Sequence, residues 1–483
     1  MPLELFNCIF QYITDFNILN QAYNCRLIKS FNGYCVNVKD ERSQYDTRDK
    51  LFDLSILQDC IGLSFIDTIF RSINFSTKLQ YLFLNNCYIE INILRACYQL
   101  KELRFEGCDF NDTVDDSPDL LYNHDLQILE QLNLSIVLIK GADFSRKLDP
   151  FFTKVKDLTL IDCDINEGYF KYFKSLVKFD YDSLDTSNHF NIMTKKTITE
   201  LSILIRRSED LINFKTEYPK LETLNLEILD NINIELPESL RRLATNNHKC
   251  KLLFITSPLK SEMLTISNIT SRMLSYITVL YNLTILDLKT KLYTDRLKQN
   301  VIVVDNNIIN KLVKLKVLKL SGLFLDPNAL FNHMPDLNVV HLHGSSILDK
   351  HLLSITCIKE LNLKDCSNLT HKCGSVLRQV VKLELANTPL DEKALRNLWQ
   401  VRFLVLCNMR KLAKSIKYFK SVCHLTFYNC PFITHNMLST ISNVCKDLRE
   451  INITKCAKID LKSIGNIFTD SVKVNPYCRT IRQ

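Results

Sequence analysis

The chain is short of glycine. Only 9 of its 483 residues are glycine, at positions 33, 62, 107, 141, 168, 322, 344, 374 and 465, and no two lie closer than 22 residues. A phosphate-cradling loop needs several glycines within a few positions, so that backbone N–H groups can approach the ligand. Walker and Rossmann loops, a kinase glycine-rich loop and a Gly-x-Ser-x-Gly nucleophile elbow are therefore excluded. Spacings that build common metal and redox sites are missing too. No two of the 18 cysteines stand three positions apart, which removes Cys-x-x-Cys, and there is no His-Glu-x-x-His. No run of about 18 apolar residues occurs, so no membrane span is expected. The opening Met1-Pro2-Leu3-Glu4-Leu5 has no basic stretch leading into an apolar run, and a secretory signal is not expected. The cysteines are then read as reduced, buried thiols of a cytoplasmic or nuclear protein.

Charge is unevenly placed. The net charge is +8, yet residues 401–483 hold fourteen Lys/Arg against four Asp/Glu, a local +10, so the first 400 residues carry −2. In contrast, seven acidic residues and no basic one fall between Asp109 and Glu130. That stretch reads as a solvated insertion loop near 109–125.

What the chain does have is a repeat. Apolar-x-x-apolar-x-apolar recurs as Leu79/Leu82/Leu84, Leu100/Leu103/Phe105, Val155/Leu158/Leu160, Leu221/Leu224/Leu226 and Leu283/Leu286/Leu288. It continues as Leu315/Leu318/Leu320, Ile358/Leu361/Leu363, Val380/Leu383/Leu385, Val401/Leu404/Leu406, Val422/Leu425/Phe427 and Leu448/Ile451/Ile453. Weaker copies centre on Leu132, Phe179, Leu201, Leu243, Leu264 and Val340. Seventeen central positions from Leu82 to Ile451 give a mean period of about 23 residues, within the range of a leucine-rich repeat. Each unit is expected to form a short strand with one apolar face, backed by a helix. Stacked units bury what a single unit cannot. The fold class expected is α/β, a leucine-rich-repeat solenoid (horseshoe) of about 17–18 repeats over residues 79–468. Residues 41–78 are read as a linker and possible first degenerate repeat, and 469–483 as a C-terminal tail.

Cysteine occupies fixed places in the repeat: before and after the strand at Cys97/Cys108 and Cys445/Cys456, and after it at Cys87, Cys163, Cys366 and Cys430. Cys430-Pro-Phe-Ile433-Thr434-His435 resembles the cysteine-containing leucine-rich-repeat subtype, in which a small apolar side chain fills the turn after the strand. The resemblance implies structural cysteines, not nucleophiles.

Residues 1–40 do not fit the repeat. Leu5, Ile9 and Ile13 stand at helical spacing behind Pro2, followed by Ile18-Leu19 and Cys25-Arg26. This segment resembles an F-box, with Ile28 where tryptophan is usual, and the order F-box then cysteine-containing repeats is similar to the F-box/leucine-rich-repeat proteins. The resemblance implies that Pro2, Leu5, Ile9, Ile13 and Leu19 dock a Skp-family adaptor within a cullin complex. The chain would then be a non-catalytic substrate receptor of a ubiquitin ligase. The plainer reading of the same stripe is a helix that caps the first repeat of an interaction scaffold.

Residues between the apolar strand positions should face the concave side. In the C-terminal third these include Lys319, His341, His343, Glu360, Asn362, Lys364, Lys382, Glu384, Phe403, His424 and Tyr428. Lys319, His341, His343, Lys364, Lys382, Phe403, His424 and Tyr428 are the candidate target-binding residues, suited to a protein that is acidic or phosphorylated. His341-x-His343 alone lacks the three or four ligands of a metal site, and neither metal nor cofactor is expected. Arg410, Lys411, Lys414, Lys417 and Lys420 recur at helical spacing, which reads as a solvated helix face rather than a nucleic-acid or membrane site.

Overall fold

The computed structural model describes residues 35–39, 62–66, 78–85, 87–89, 97, 99–110, 136–140, 154–161, 163, 173–182, 195–205, 213–228, 233–247, 253–255, 261–269, 271–277, 280–290, 302–409 and 412–456, with 458, 459, 464, 467, 468 and 471–475. Pro2, Leu5, Ile9, Ile13 and Leu19 lie outside the described residues, as do most of the acidic stretch and Arg410 and Lys411. The chain divides into two compact units, Met1–Glu227 and Ile228–Gln483.

In the first unit the strands Cys35–Lys39, Gly62–Ile66, Tyr81–Asn85, Glu102–Glu106, Ile136–Lys140, Asp157–Ile161, Lys178–Asp182 and Glu200–Ile205 pair in parallel, each with the next in chain order. In the second unit Arg242–Asn247, Met263–Ser267, Ile285–Lys289, Val317–Ser321, Val339–His343, Glu360–Lys364, Lys382–Ala386, Phe403–Cys407, His424–Tyr428, Glu450–Thr454 and Lys473–Asn475 do the same. Second and fourth strand residues point inward and are buried, as with Leu82 and Leu84, Leu318 and Leu320, or Leu404 and Leu406. One in-register parallel strand per unit, most units being 19–27 residues and two of them 32 and 34, is the leucine-rich-repeat architecture.

Several expectations shift. Gly62–Ile66 joins the ladder within the segment read as a linker and possible first degenerate repeat, and Cys35–Lys39 joins it too, so a strand occupies the end of the segment read as an N-terminal module. It also reaches into the segment read as a tail, where Val474 pairs with Ile451. The copy placed at Leu132 belongs instead at Ile136–Lys140, where Val137 and Ile139 are buried and register with Leu103 and Phe105. Two apolar pairs a few residues apart fit one pattern equally well, and only pairing selects between them. The acidic stretch starts within structure, because Asp109–Phe110 pairs with Tyr88–Ile89.

After each strand the chain must turn sharply. Gly107, Gly322, Gly344, Asn268, Asp365, Asn387, Asn408, Asn429 and Lys455, each one residue past a strand, have φ between 49° and 70°. Asn and Asp tolerate this left-handed region better than other L residues, which is how the chain turns so often with so little glycine. The N–H of the turning residue donates to the end of the following strand: Asp365 to the Ala386 carbonyl, Asn408 to Tyr428, Asn429 to Thr454.

The position after the turning residue, two past the strand, is where cysteine recurs. Cys108, Cys163, Cys366 and Cys430 are buried, and their thiols donate to carbonyls of the preceding strand at Leu84, Ile139, Leu342 and Leu406, at 3.2–3.4 Å. Ser345 takes the same place and donates to Leu320 at 3.3 Å. Burial pushes the thiols of Cys97, Cys366, Cys430 and Cys445 up to about 12, so they stay protonated and unreactive.

The backing of the strands is less helical than expected. His435–Val444 is a helix capped by Thr434, whose hydroxyl accepts from the Met437 N–H. His371–Gln379 and Ala413–Tyr418 are 3₁₀ turns instead. Here the central leucines, Leu361, Leu383, Leu404 and Leu425, are only 21 or 22 residues apart. A 3₁₀ turn rises about 2.0 Å per residue against about 1.5 Å for an α-helix, so it spans the strand's length with fewer residues. Gly374 sits in this thin layer, where an added Cβ would lie 2.7 Å from the Ala394 carbonyl oxygen.

Two outcomes are expected. Replacing Lys455 with Asn should raise stability by up to about 1 kcal/mol by relieving its left-handed backbone, whereas Gly374→Ala should lower it by about 1–3 kcal/mol, both read from urea denaturation midpoints. Under native conditions iodoacetamide followed by peptide mapping should label the exposed Cys357 well before buried Cys366, Cys430 or Cys445.

Candidate functional site

The register aligns the first, third and fifth residues of successive strands into continuous rows. The first strand positions align as Glu360, Lys382, Phe403, His424 and Glu450. The third align as Lys319, His341, Asn362 and Glu384, and the fifth as Ser321, His343, Lys364, Ala386, Cys407 and Tyr428. All eight candidate binding residues therefore share one strand face of the second unit. Adjacent rungs are about 4.8 Å apart.

The ladder brings some of them into contact. Glu360 takes the His341 Nε2 at 2.9 Å and the Lys382 Nζ at 2.8 Å on the same oxygen. Burial opposes ionisation of Glu360, but the hydrogen bonds from Lys382 and His341 outweigh it and hold its carboxyl below the usual range. Phe403 and His424 stack with centroids 4.7 Å apart and planes 5° from parallel. His424 Nδ1 lies 3.4 Å from Glu450, whose other oxygen accepts from Asn475 at 2.7 Å. The Lys455 ammonium stands 5.2 Å from the Tyr428 ring centroid. Lys319 and Lys364 form no ion pair among the described residues.

His341 and His343 do not share a ligand. His343 lies between Ser321, whose Oγ is 3.3 Å from Nδ1, and Asp365, whose carboxylate is 3.1 Å from Nε2. These residue types suit nucleophilic hydrolysis, but that chemistry also needs N–H donors free to hold an oxyanion. The neighbouring amides are spent: Gly322 donates to His343 at 2.6 Å and Gly344 to Lys364 at 2.8 Å. The row continues as a structural ladder through the 2.8 Å bond from Asn387 to Asp365. Among the described residues no three metal-ligating side chains gather, and no helix is long and apolar enough to cross a membrane.

Asp365, Ser321 and Glu450 were not singled out from the sequence. Asp365 sits one residue beyond the strand, outside the alternating positions, and its approach to His343 follows from its left-handed turn. The basic run behaves as an exposed face: Lys417 pairs with Glu392 at 3.3 Å and lies 5.0 Å from the Tyr418 ring centroid.

No family model matches the chain, and no curated protein sequence matches it. Among solved structures it is similar to a chain of the mouse RP105/MD-1 complex, at 13% identity over 83% of this chain and 84% of that one, with a TM-score of 0.42. It is similar to the TLR13–ssRNA13 complex structure at 14% identity over 87% and 86%, TM-score 0.37. It is also similar to the leucine-rich-repeat ectodomain of the plant receptor kinase GASSHO1/SCHENGEN3 from Arabidopsis thaliana, at 15% over 88% of this chain and 54% of that one, TM-score 0.33. The leucine-rich-repeat assignment stands on the ladder itself.

Burial lowers the basicity of His343, and nearby Lys364 adds to the effect. Burial does the same to His351, which is wholly buried and accepts the Leu348 N–H at Nδ1, 3.0 Å away. Both histidines bind protons more readily in the unfolded chain, so stability should fall as pH drops below about 6.5. Thermal melts at pH 8 and pH 5.5 should show this loss. It should shrink in His351→Asn, whose shorter side chain offers an acceptor without a titrating group.

Proposed function

We propose that this protein is a non-catalytic receptor subunit of a Skp–cullin–F-box type ubiquitin ligase, acting in the cytoplasm or nucleus. Residues 1–40 dock the adaptor through Pro2, Leu5, Ile9, Ile13 and Leu19. The exposed strand face from Lys319 to Tyr428 holds a target protein. The observation that carries the binding half is the face itself: the Phe403–His424 stack and the Glu360 cluster are fixed by strand register, so little side-chain freedom is lost when a partner docks. The adaptor half is supported by the F-box resemblance. Holding a target near a ubiquitin-conjugating enzyme accelerates transfer by raising effective concentration, with no chemistry asked of this chain.

One structural observation favours a second reading. Among the described residues the first strand is Cys35–Lys39, 22 residues beyond Ile13 of the apolar stripe, and the end of a strand ladder needs a cover. In that case the stripe caps an interaction scaffold that takes no part in ubiquitin transfer.

Leu5→Asp with Ile9→Asp in the full chain separates the two. Under the receptor reading the wild type co-purifies a Skp-family adaptor, and the variant loses it with its melting temperature little changed. Absence of adaptor from the wild type, together with a fall of several degrees in the variant, establishes the cap instead.

A further inference from the structure

The residue just before each strand forms a rung of its own. Its carbonyl accepts from the start of the following strand, which links Lys316, Asn338, Lys359, Val381, Arg402, Cys423 and Arg449 in order. From Lys316 onward every second rung is a cation, Lys316, Lys359, Arg402 and Arg449, whereas two rungs before Lys316 the edge carries Glu262. All four are exposed, and none forms an ion pair among the described residues. This departs from the strand face alongside, where Lys382 is matched by Glu360 and His424 by Glu450. Three residues before Arg402 stands Trp399, the only tryptophan in the chain and 72% exposed. It is held rather than loose: its indole N–H donates to Arg396 at 2.9 Å, its amide to Asn397 at 2.9 Å, and its carbonyl accepts from Ser421 at 2.7 Å. This large aromatic is held mostly in water, three residues before one of the exposed cations.

We propose that this strand-start edge binds an extended acidic peptide whose carboxylates, or phosphates, recur at every third residue. The argument is one of spacing. Two rungs at about 4.8 Å place successive cations about 10 Å apart, and Lys316 to Arg449 spans roughly 29 Å. A polyproline-II chain rises about 3.1 Å per residue with three residues per turn, so residues i, i+3, i+6 and i+9 fall on one face about 9 Å apart. The cations therefore match one peptide face over about ten residues, with Trp399 placed to pack against a proline or aliphatic side chain between the acidic ones. Consecutive phosphates of a single-stranded nucleic acid are closer than this. The inference rests on the interaction-protein reading above and names the partner's chemistry. It does not depend on adaptor binding, so loss of one leaves the other standing.

The test uses the full-length protein and fluorescein-labelled peptides. One is Glu-Pro-Pro repeated four times. A second has the same composition with its four glutamates adjacent, and a twelve-nucleotide polyuridine is the third probe. Anisotropy titrations at low salt should show the spaced peptide binding several-fold tighter than the clustered one, with affinity falling as salt rises. Arg402→Glu should weaken the spaced peptide by roughly tenfold. Lys414→Glu, the same charge reversal on the exposed backing layer, should change it by less than about twofold. Trp399→Ala should weaken it with unchanged salt dependence, and melting curves show whether each variant is folded. Equal binding of both peptides, equal effects of the two charge reversals, tighter binding of the polyuridine, or no binding of the spaced peptide would each overturn the proposal.

Discussion

The structure depends on one constraint: a five-residue strand with two inward side chains cannot bury them by itself. Leu361 and Leu363 lose their water only because Val340 and Leu342 lie on one side and Leu383 and Leu385 on the other. Parallel, in-register stacking satisfies both the apolar face and the backbone hydrogen bonds. It also forces a sharp turn at the same place in every unit. From that turn follow the left-handed asparagines and the small side chain two positions past the strand. A thiol or hydroxyl serves there because it fills a narrow space and can donate to the preceding strand. The shared use of Cys366 and Ser345 marks the place as structural.

The same constraint decides what the surface can be. With each strand registered against the next, an exposed residue has fixed neighbours one rung away. Function is then assembled from one side chain per repeat, not from a local motif. His341 and His343, two residues apart, end in different surroundings, because one meets Glu360 and the other Ser321 and Asp365. In the Ser321–His343–Asp365 row, the same register that gathers these side chains also commits the adjacent backbone amides. The Gly322 and Gly344 amides beside it are ones the ladder uses to hold itself together.

The glycine shortage sits naturally in this frame. The turn that usually asks for glycine is met by Asn268, Asp365, Asn387, Asn408 and Asn429, whose short polar side chains adopt the left-handed region at modest cost. Four of them also bond side chain to side chain along the edge: Asn387 to Asp365, and Asn429 to Asn408 at 2.7 Å. A residue chosen for backbone conformation thereby becomes part of a polar row on the surface.

The sequence by itself determined the repeat, the inward strand positions, the structural cysteines and the exposed strand face, because each depends on a periodicity that local sterics impose. It could not place the strand near Leu132 correctly, since two overlapping apolar patterns compete and only pairing with Leu103 and Phe105 resolves them. Nor did it reveal the strands at Cys35–Lys39 and Lys473–Asn475, whose apolar pattern is weak and whose strand state comes from a neighbour's ladder. Which exposed side chains meet, and which cations stay unpaired, was decided by tertiary structure alone. Contacts between residues about 20 positions apart depend on register, and register is a property of the stacked units together.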